Sequence, residues 1–370
     1  MIQEIINFVD TLPEEIFTYN LKPKEGLYIL LDIDEQGNLV NVDEKGRINE
    51  GDIGFFAFIK RNNKIVDETI ENEALMIKML NYLIETETVM YEKSYNPSLK
   101  FFAAIASPFG LGFKVDAFKK ADDVKKQKAL DNYFKGAKKH LNTENEEHLK
   151  FKTSFEQFCQ KSLFKEVNNL LKLYDKKLKK NHHVFLFDKA PSLENHKEIR
   201  KEYLKESVFI KQAKDKSNKK IGNVVFGPSI ALNSGNWDKK PFRLSRTAHF
   251  DMDYRVEGTE GAALWRFSKL LNQKALPNPF PIFIYKEEIL NKTTIKLFQS
   301  EEKGLSFSKI IESLYSQYKD DIKNYYIFQY RYIPKLKEYK IIDIDFVFAR
   351  VFMAHKEEKN TCSSFLIYLY

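Results

Sequence analysis

The sequence predicts an α+β fold, an irregular mixed sheet core carrying a long lysine-rich helical section. Strand-like apolar runs and helix-periodic segments are interspersed along the chain without the regular spacing of βαβ units. Residues 115–180 hold apolar side chains three and four apart with few breakers, the period of helices. Two late alternating runs, 324–333 and 339–352, read as strands. At 370 residues the chain is long enough for one large domain or two modest ones. Shifts of composition divide it into an N-terminal α+β part (1–118), a helical section (119–181) and a second α+β part (182–370), unless all three form one continuous domain.

Each element has its own signal. Residues 2–12 are amphipathic and stop before Pro13, which predicts a short helix. The runs 26–34 and 38–44 flank the turn-prone Glu35-Gln36-Gly37 and predict a hairpin. The apolar run 52–60 predicts a strand buried on both faces, and 71–90 a helix. Segment 101–114 breaks at Pro108, Gly110 and Gly112 and reads as a loop. Two long helices then follow, joined around Asn142-Thr143-Glu144-Asn145. Residues 182–190 predict a strand and 192–206 a helix; the lysine-rich 211–220 reads as a connector. A strand at IGNVVFG, a strand at 248–256 and a helix over 258–273 come next, the helix stopped by Pro277-Asn278-Pro279. Helical segments run to about 319. There is no internal repeat. The final EEKNTCSSFLIYLY reads either as a buried terminal strand or as the cut edge of a longer gene.

Composition excludes several classes. Charged residues at 30% and hydrophobic ones at 43% indicate a folded, soluble chain. Sixty basic against 52 acidic side chains give a net charge of +8, a mild excess compatible with a nucleic-acid partner without demanding one. Cys159 and Cys362 stand far apart, so neither a cysteine-rich zinc site nor a disulfide framework is indicated, and a reducing cytoplasm is expected. The N-terminus lacks the basic and apolar regions of a signal peptide, and no apolar stretch approaches the roughly 18 residues of a membrane span.

Arginine is the sharper signal. Only nine arginines stand against 51 lysines, and four of them (Arg243, Arg246, Arg255, Arg266) fall within residues 233–286. Arginine's planar fork suits bidentate contact with phosphate or guanine, where lysine is a point charge. Beside them, the loop ALNSGNWDKK offers Asn233, Ser234 and Asn236 as short donors and acceptors for base edges, with Lys239 and Lys240 to enter a groove. Trp237 is placed to stack or wedge. Downstream, HFDMD sets His249, Asp251 and Asp253 on one face of a strand, half of a divalent-metal site such as a nuclease uses. SPFGLGFK (107–114) is a weaker glycine-rich candidate for phosphate, without the Lys-Ser/Thr that completes a P-loop. No cofactor motif is present.

The run from LNSGNWDKKPF through AHFDMDYRV to LPNPFPIFIYKEE resembles the large-subunit family of type I-B CRISPR Cascade surveillance complexes, the Csh-type CRISPR-associated proteins. NEGDIGFFAFIK, NYFKGAKKHLNTENEEHLKF and HVFLFDKAPSLENHKEIRKEYLKE echo it, so the resemblance spans about residues 50–290. It implies a non-catalytic, cytoplasmic subunit that lies near the 5′ handle of the CRISPR RNA, beside backbone and handle-binding subunits. It further implies reading of the protospacer-adjacent motif in target double-stranded DNA, promotion of strand separation and recruitment of a helicase–nuclease. Asn233, Ser234, Asn236, Trp237, Lys239 and Lys240 would read the motif and wedge the duplex, while Arg243, Arg246 and Arg255 would hold phosphates. Many members carry a cysteine-paired insert and a C-terminal helical bundle, and neither is seen here; a separate small subunit is then expected to hold the single strand.

Overall fold

The computed structural model describes residues 2–61, 64–89, 105–141, 144–209, 219–222, 224–231, 255–284, 287–300, 304–319, 321–322, 324–334, 338–352 and 365–369. In chain order the elements are α1 (Ile2–Asp10), β1 (Gly26–Leu31), β2 (Ile53–Arg61), β3 (Lys64–Glu71), α2 (Glu73–Thr86), β4 (Gly110–Lys114), α3 (Val115–Lys120), α4 (Asp123–Ala137), α5 (Glu146–Lys161), α6 (Leu163–Leu173), β5 (His183–Asp188) and α7 (Leu193–Ser207). There follow β6 (Lys219–Ile221), β7 (Val224–Gly227), β8 (Val256–Glu257), α8 (Gly258–Gln273), β9 (Phe280–Phe283), α9 (Glu287–Gln299), α10 (Phe307–Tyr318), β10 (Asn324–Ile333), β11 (Glu338–Phe352) and β12 (Phe365–Leu369). The class is α+β, as the sequence predicts. The chain forms two compact units, one of Lys22–Ser207 and one of Met1–Leu21 with Val208–Tyr370. Both boundaries drawn from composition, at 118/119 and 181/182, fall inside the first of these.

That central unit is built on a mixed five-stranded sheet ordered β3-β2-β1-β5-β4. β1 runs parallel to β5, and the other pairs are antiparallel. One face packs Tyr28, Leu30, Phe56, Phe185 and Phe187 against Leu75, Met76, Met79 and Tyr82 of α2. β1 is buried throughout, the condition under which a strand loses apolar–polar alternation. Gly26 makes its pairing possible: with φ 146°, a Cβ there would lie 1.8 Å from the His183 carbonyl oxygen.

Several sequence expectations are corrected. Residues 38–44 are not the partner strand of β1; β2 takes that place, and 33–50 fold instead as two copies of one turn. Asp34 accepts from the backbone N–H groups of Gln36 and Asn38, and Asp43 from those of Lys45 and Arg47. Gly37 (φ 76°) and Gly46 (φ 69°) take the left-handed position in each. Single bridges close both, Ile33 to Leu39 and Val42 to Ile48. Asp34-Glu35-Gln36-Gly37 thus recurs nine residues on as Asp43-Glu44-Lys45-Gly46, a short repeat that the sequence reading passed over. β2 is buried at Ile53, Phe55 and Phe56, but Ile59 is 52% exposed, so it is not covered along its whole length.

The helical section is four helices rather than two. Asp122 caps α4 by accepting from the Lys125 N–H, Asn145 caps α5 through His148 N–H, and a break at Ser162 separates α5 from α6. Likewise IGNVVFG is not one strand but belongs to the hairpin β6–β7, turning at Gly222 (φ 60°).

The second unit carries an antiparallel sheet ordered β12-β11-β10-β9 and a small sheet β6-β7-β8. Alternation along the strands sends Phe283 and Tyr325 into a core with Leu290, Ile310 and Leu314 of α9 and α10. It sends Phe280 and Phe328 the other way, where Phe280 meets Phe8 of α1 and Phe267 of α8. α8 begins with a reciprocal capping box between Glu257 and Glu260 and ends at left-handed Lys274. In the Pro-Asn-Pro segment, Asn278 exchanges hydrogen bonds with the backbone of Tyr330 (2.8 and 3.2 Å), so its amide acts as a surrogate strand partner for β10.

Candidate nucleic-acid interface

Asn233, Ser234, Asn236, Trp237, Lys239, Lys240, Arg243 and Arg246 lie outside the described residues, as do His249, Asp251 and Asp253. The structure does place the two ends of their segment. The Ile230 N–H donates to the Val208 carbonyl, and β8 pairs with β7 through Gly227 and Val256. The described residues thus stop at Ala231, four residues after β7, and resume at Arg255, one residue before β8, the strand that pairs with β7. Arg255 is half-buried and already has a partner within the chain. Arg266 is structural: its guanidinium bonds both oxygens of Glu14 (2.8 and 2.7 Å) and stacks 3.8 Å from the Phe17 ring centroid.

The glycine-rich segment 107–114 is neither a phosphate cradle nor a plain turn. Residues 110–114 are the edge strand β4, and its glycines leave room for aromatic rings. A Cβ on Gly110 would come within 2.4 Å of the Phe187 ring, and one on Gly112 within 2.7 Å of the Phe185 ring.

Sequence reasoning missed which lysines of the central unit meet an acid and which do not. On the helices, acids one turn away meet Lys120 (Asp116), Lys125 (Asp122), Lys126 (Asp123) and Lys152 (Glu156), while Lys128, Lys135 and Lys165 are exposed with no ion pair among the described residues. One group of lysines surrounds the turn after α6. The Val115 N–H donates to the His182 carbonyl and the Asp116 N–H to that of Lys180, which brings segments 114–120 and 172–182 together. Together the two segments contain eight lysines (114, 119, 120, 172, 176, 177, 179, 180) and two acids, Asp116 and Asp175. Lys119 meets Asp175, Lys120 meets Asp116 and Lys177 meets Glu71. Lys114, Lys172, Lys176, Lys179 and Lys180 are exposed and have no ion pair among the described residues. Lysines of this kind carry the phosphate contacts of sequence-independent nucleic-acid binding.

Two histidines beside this surface register its field. Burial lowers the pKa of His182, and Lys179 adds to the effect against the pull of Glu25. His183 is pushed down to about 4, chiefly by burial and then by Lys24 and Lys114. Both are neutral near pH 7, so the positive charge of the surface is carried by lysine alone.

A buried polar cluster behind the sheet was also illegible in the sequence. Ser107 Oγ lies 3.1 Å from His196 Nδ1 and accepts from the Phe109 N–H. Burial drives His196 down to about 3. Ser107 is 0% and His196 1% exposed, so this hydroxyl–imidazole pair is closed to a substrate and holds the Phe109 turn. Among the described residues no three His, Cys, Asp or Glu side chains are placed to hold a metal ion, and no helix is long and apolar enough to cross a membrane.

No known protein family, curated protein or solved structure matches this chain.

Proposed function

We propose that this chain is a nucleic-acid-binding, non-catalytic large subunit of an RNA-guided CRISPR surveillance complex. The observation that carries the reading is the exposed surface formed by 114–120 and 172–182, where five of the eight lysines have no ion pair among the described residues. It offers phosphate charge complementarity and lacks arginine, so it positions a strand without reading it. The arginine- and asparagine-rich segment 233–255 supplies the groups suited to base edges. The resemblance over residues 50–290 supports the same division of labour, in which the protein reads a short flanking motif and RNA pairing reads the rest. The partners are the 5′ handle of the CRISPR RNA, the target duplex, the backbone and handle-binding subunits, and a helicase–nuclease.

The test is selection by the reconstituted complex, with and without this chain, from duplexes randomised beside the target. Motif enrichment only when the chain is present is the expected result, lost in Asn233→Ala and Lys239→Ala. Intact assembly with no enrichment would overturn the motif-reading role.

A further inference from the structure

The two turns within 33–50 are congruent. In the first, the Gly37 N–H donates to the Asp34 carbonyl (3.0 Å), the Asp34 N–H to that of Asn38 (3.0 Å) and the Val40 N–H to that of Asp32 (2.9 Å). Nine residues on, the Gly46 N–H donates to the Asp43 carbonyl (2.8 Å), Asp43 to Arg47 (2.8 Å) and Asn49 to Asn41 (3.1 Å). Side-chain chemistry recurs with the backbone. Glu44 stands where Glu35 does, and the apolar Val40 and Val42 stand where Leu31 and Ile33 do.

The two turns differ in what covers them. The first sits on α5, where a Cβ on Gly37 would lie 2.6 Å from Gln157 Cβ and 2.8 Å from the Phe158 nitrogen. Lys161 Nζ donates to the Gln36 carbonyl and Lys150 Nζ meets Glu35 Oε1, each at 2.6 Å. Lys150 and Lys161 lie seven residues before and four after Gln157, so one stripe of the helix carries all three side chains. Leu31 and Ile33 are buried. At the second turn, nothing lies within 4 Å of the place a Gly46 Cβ would take, and Glu44 is exposed with no ion pair among the described residues. Val40 and Val42 are 59% and 37% exposed.

We propose that the second turn docks on a helix of another protein as the first docks on α5. The docked turn defines the partner's chemistry. Its helix approaches Gly46 closely, carries a lysine or arginine seven residues earlier to meet Glu44, and covers Val40 and Val42 with apolar side chains. Lys45, in the place of Gln36, adds a demand for a carboxylate on that helix. This surface shares no residue with the lysine surface and does not rest on the nucleic-acid reading.

The probe is a peptide of residues 145–162, held helical by a hydrocarbon link on the side away from Lys150 and Lys161. It is titrated into the full chain labelled with ¹⁵N-glycine, which reports Gly37 and Gly46 separately. Saturable shifts at Gly46, with Gly37 unmoved, are expected. Glu44→Lys changes only an exposed side chain and should weaken binding by at least about fivefold. A peptide carrying Lys150→Glu should recover most of that loss on the variant chain. Absence of saturation at Gly46, shifts at Gly37 instead, or an unchanged affinity in Glu44→Lys would overturn the proposal. So would a shift at Gly46 that grows with the chain's own concentration, which would give the turn to a second copy.

Discussion

Several lysines on the helices of the central unit meet an acid one turn away, whereas five of the eight around the turn after α6 meet none among the described residues. On α3, α4 and α5, acids stand three or four residues away and meet Lys120, Lys125, Lys126 and Lys152. After α6 the run KKLKK contains no acid, and the acids that approach from elsewhere reach only some of these side chains. Charge density alone therefore does not mark a binding surface. The spacing of the opposite charge decides it, first along the helix and then across the fold.

The comparison breaks most completely if the framework holding the turn is lost. Gly26→Ala forces a Cβ against the His183 carbonyl and so separates β1 from β5, the strand that follows the lysine turn. Thermal and denaturant unfolding should show a loss of more than about 3 kcal/mol, or no folded protein. Gly46→Ala is the control. Its backbone is also left-handed, but nothing lies within 4 Å, so only the conformational cost of about 1–2 kcal/mol is expected. Equal effects at the two positions would refute the close approach at Gly26.

The second test separates paired from unpaired lysines directly. Replacing Lys172, Lys176, Lys179 and Lys180 with Gln should weaken binding to duplex DNA. It should also flatten the plot of log affinity against log salt by about 0.9 for each lysine that contacts a phosphate, up to ~3.6. Replacing the paired Lys120, Lys125 and Lys152 should change that slope little. Fluorescence anisotropy across a salt series reads both. If the paired set matters as much as the unpaired set, the distinction drawn from ion pairing is wrong.

Local chemistry made much of the fold legible. The helix over 258–273 shows its period and its Glu257/Glu260 box, and β5, α7 and β10 declare themselves by apolar runs and breakers. What stayed hidden depends on distant partners. β1 takes β2 rather than 38–44 because Asp34 and Asp43 turn that stretch back on itself. The glycines of β4 look like loop residues until the rings of Phe185 and Phe187 are set beside them. Ser107 and His196 stand 89 positions apart, and Lys119 and Asp175 stand 56 apart; no pattern in the sequence connects either pair. The lysine turn was visible only as the tail of a helix, since which of its lysines meet an acid is a property of the packed chain.

The finest test uses histidines as probes of the field. His183 and His196 are both held neutral by burial, His183 to about 4 and His196 to about 3. In the unfolded chain each would titrate near 6.5. A depressed histidine contributes stability that is fully present above that value and is lost as pH falls toward the folded pKa. Unfolding should therefore become easier between about pH 6.5 and pH 4. Asp188 opposes this: burial raises its carboxyl to about 7, so its contribution is present at low pH and lost as pH rises from about 4 to 7. Asp188→Asn should make the acid fall in stability steeper, as measured by melting temperature against pH. Within that shared behaviour the two histidines part. Lys24 and Lys114 are the next causes at His183, whereas at His196 the next is His148. Lys114→Gln should raise the pKa of His183 in an NMR titration and leave that of His196 in place. If both move together, or neither moves, the lysines beside β5 do not create the local field on which the nucleic-acid reading depends.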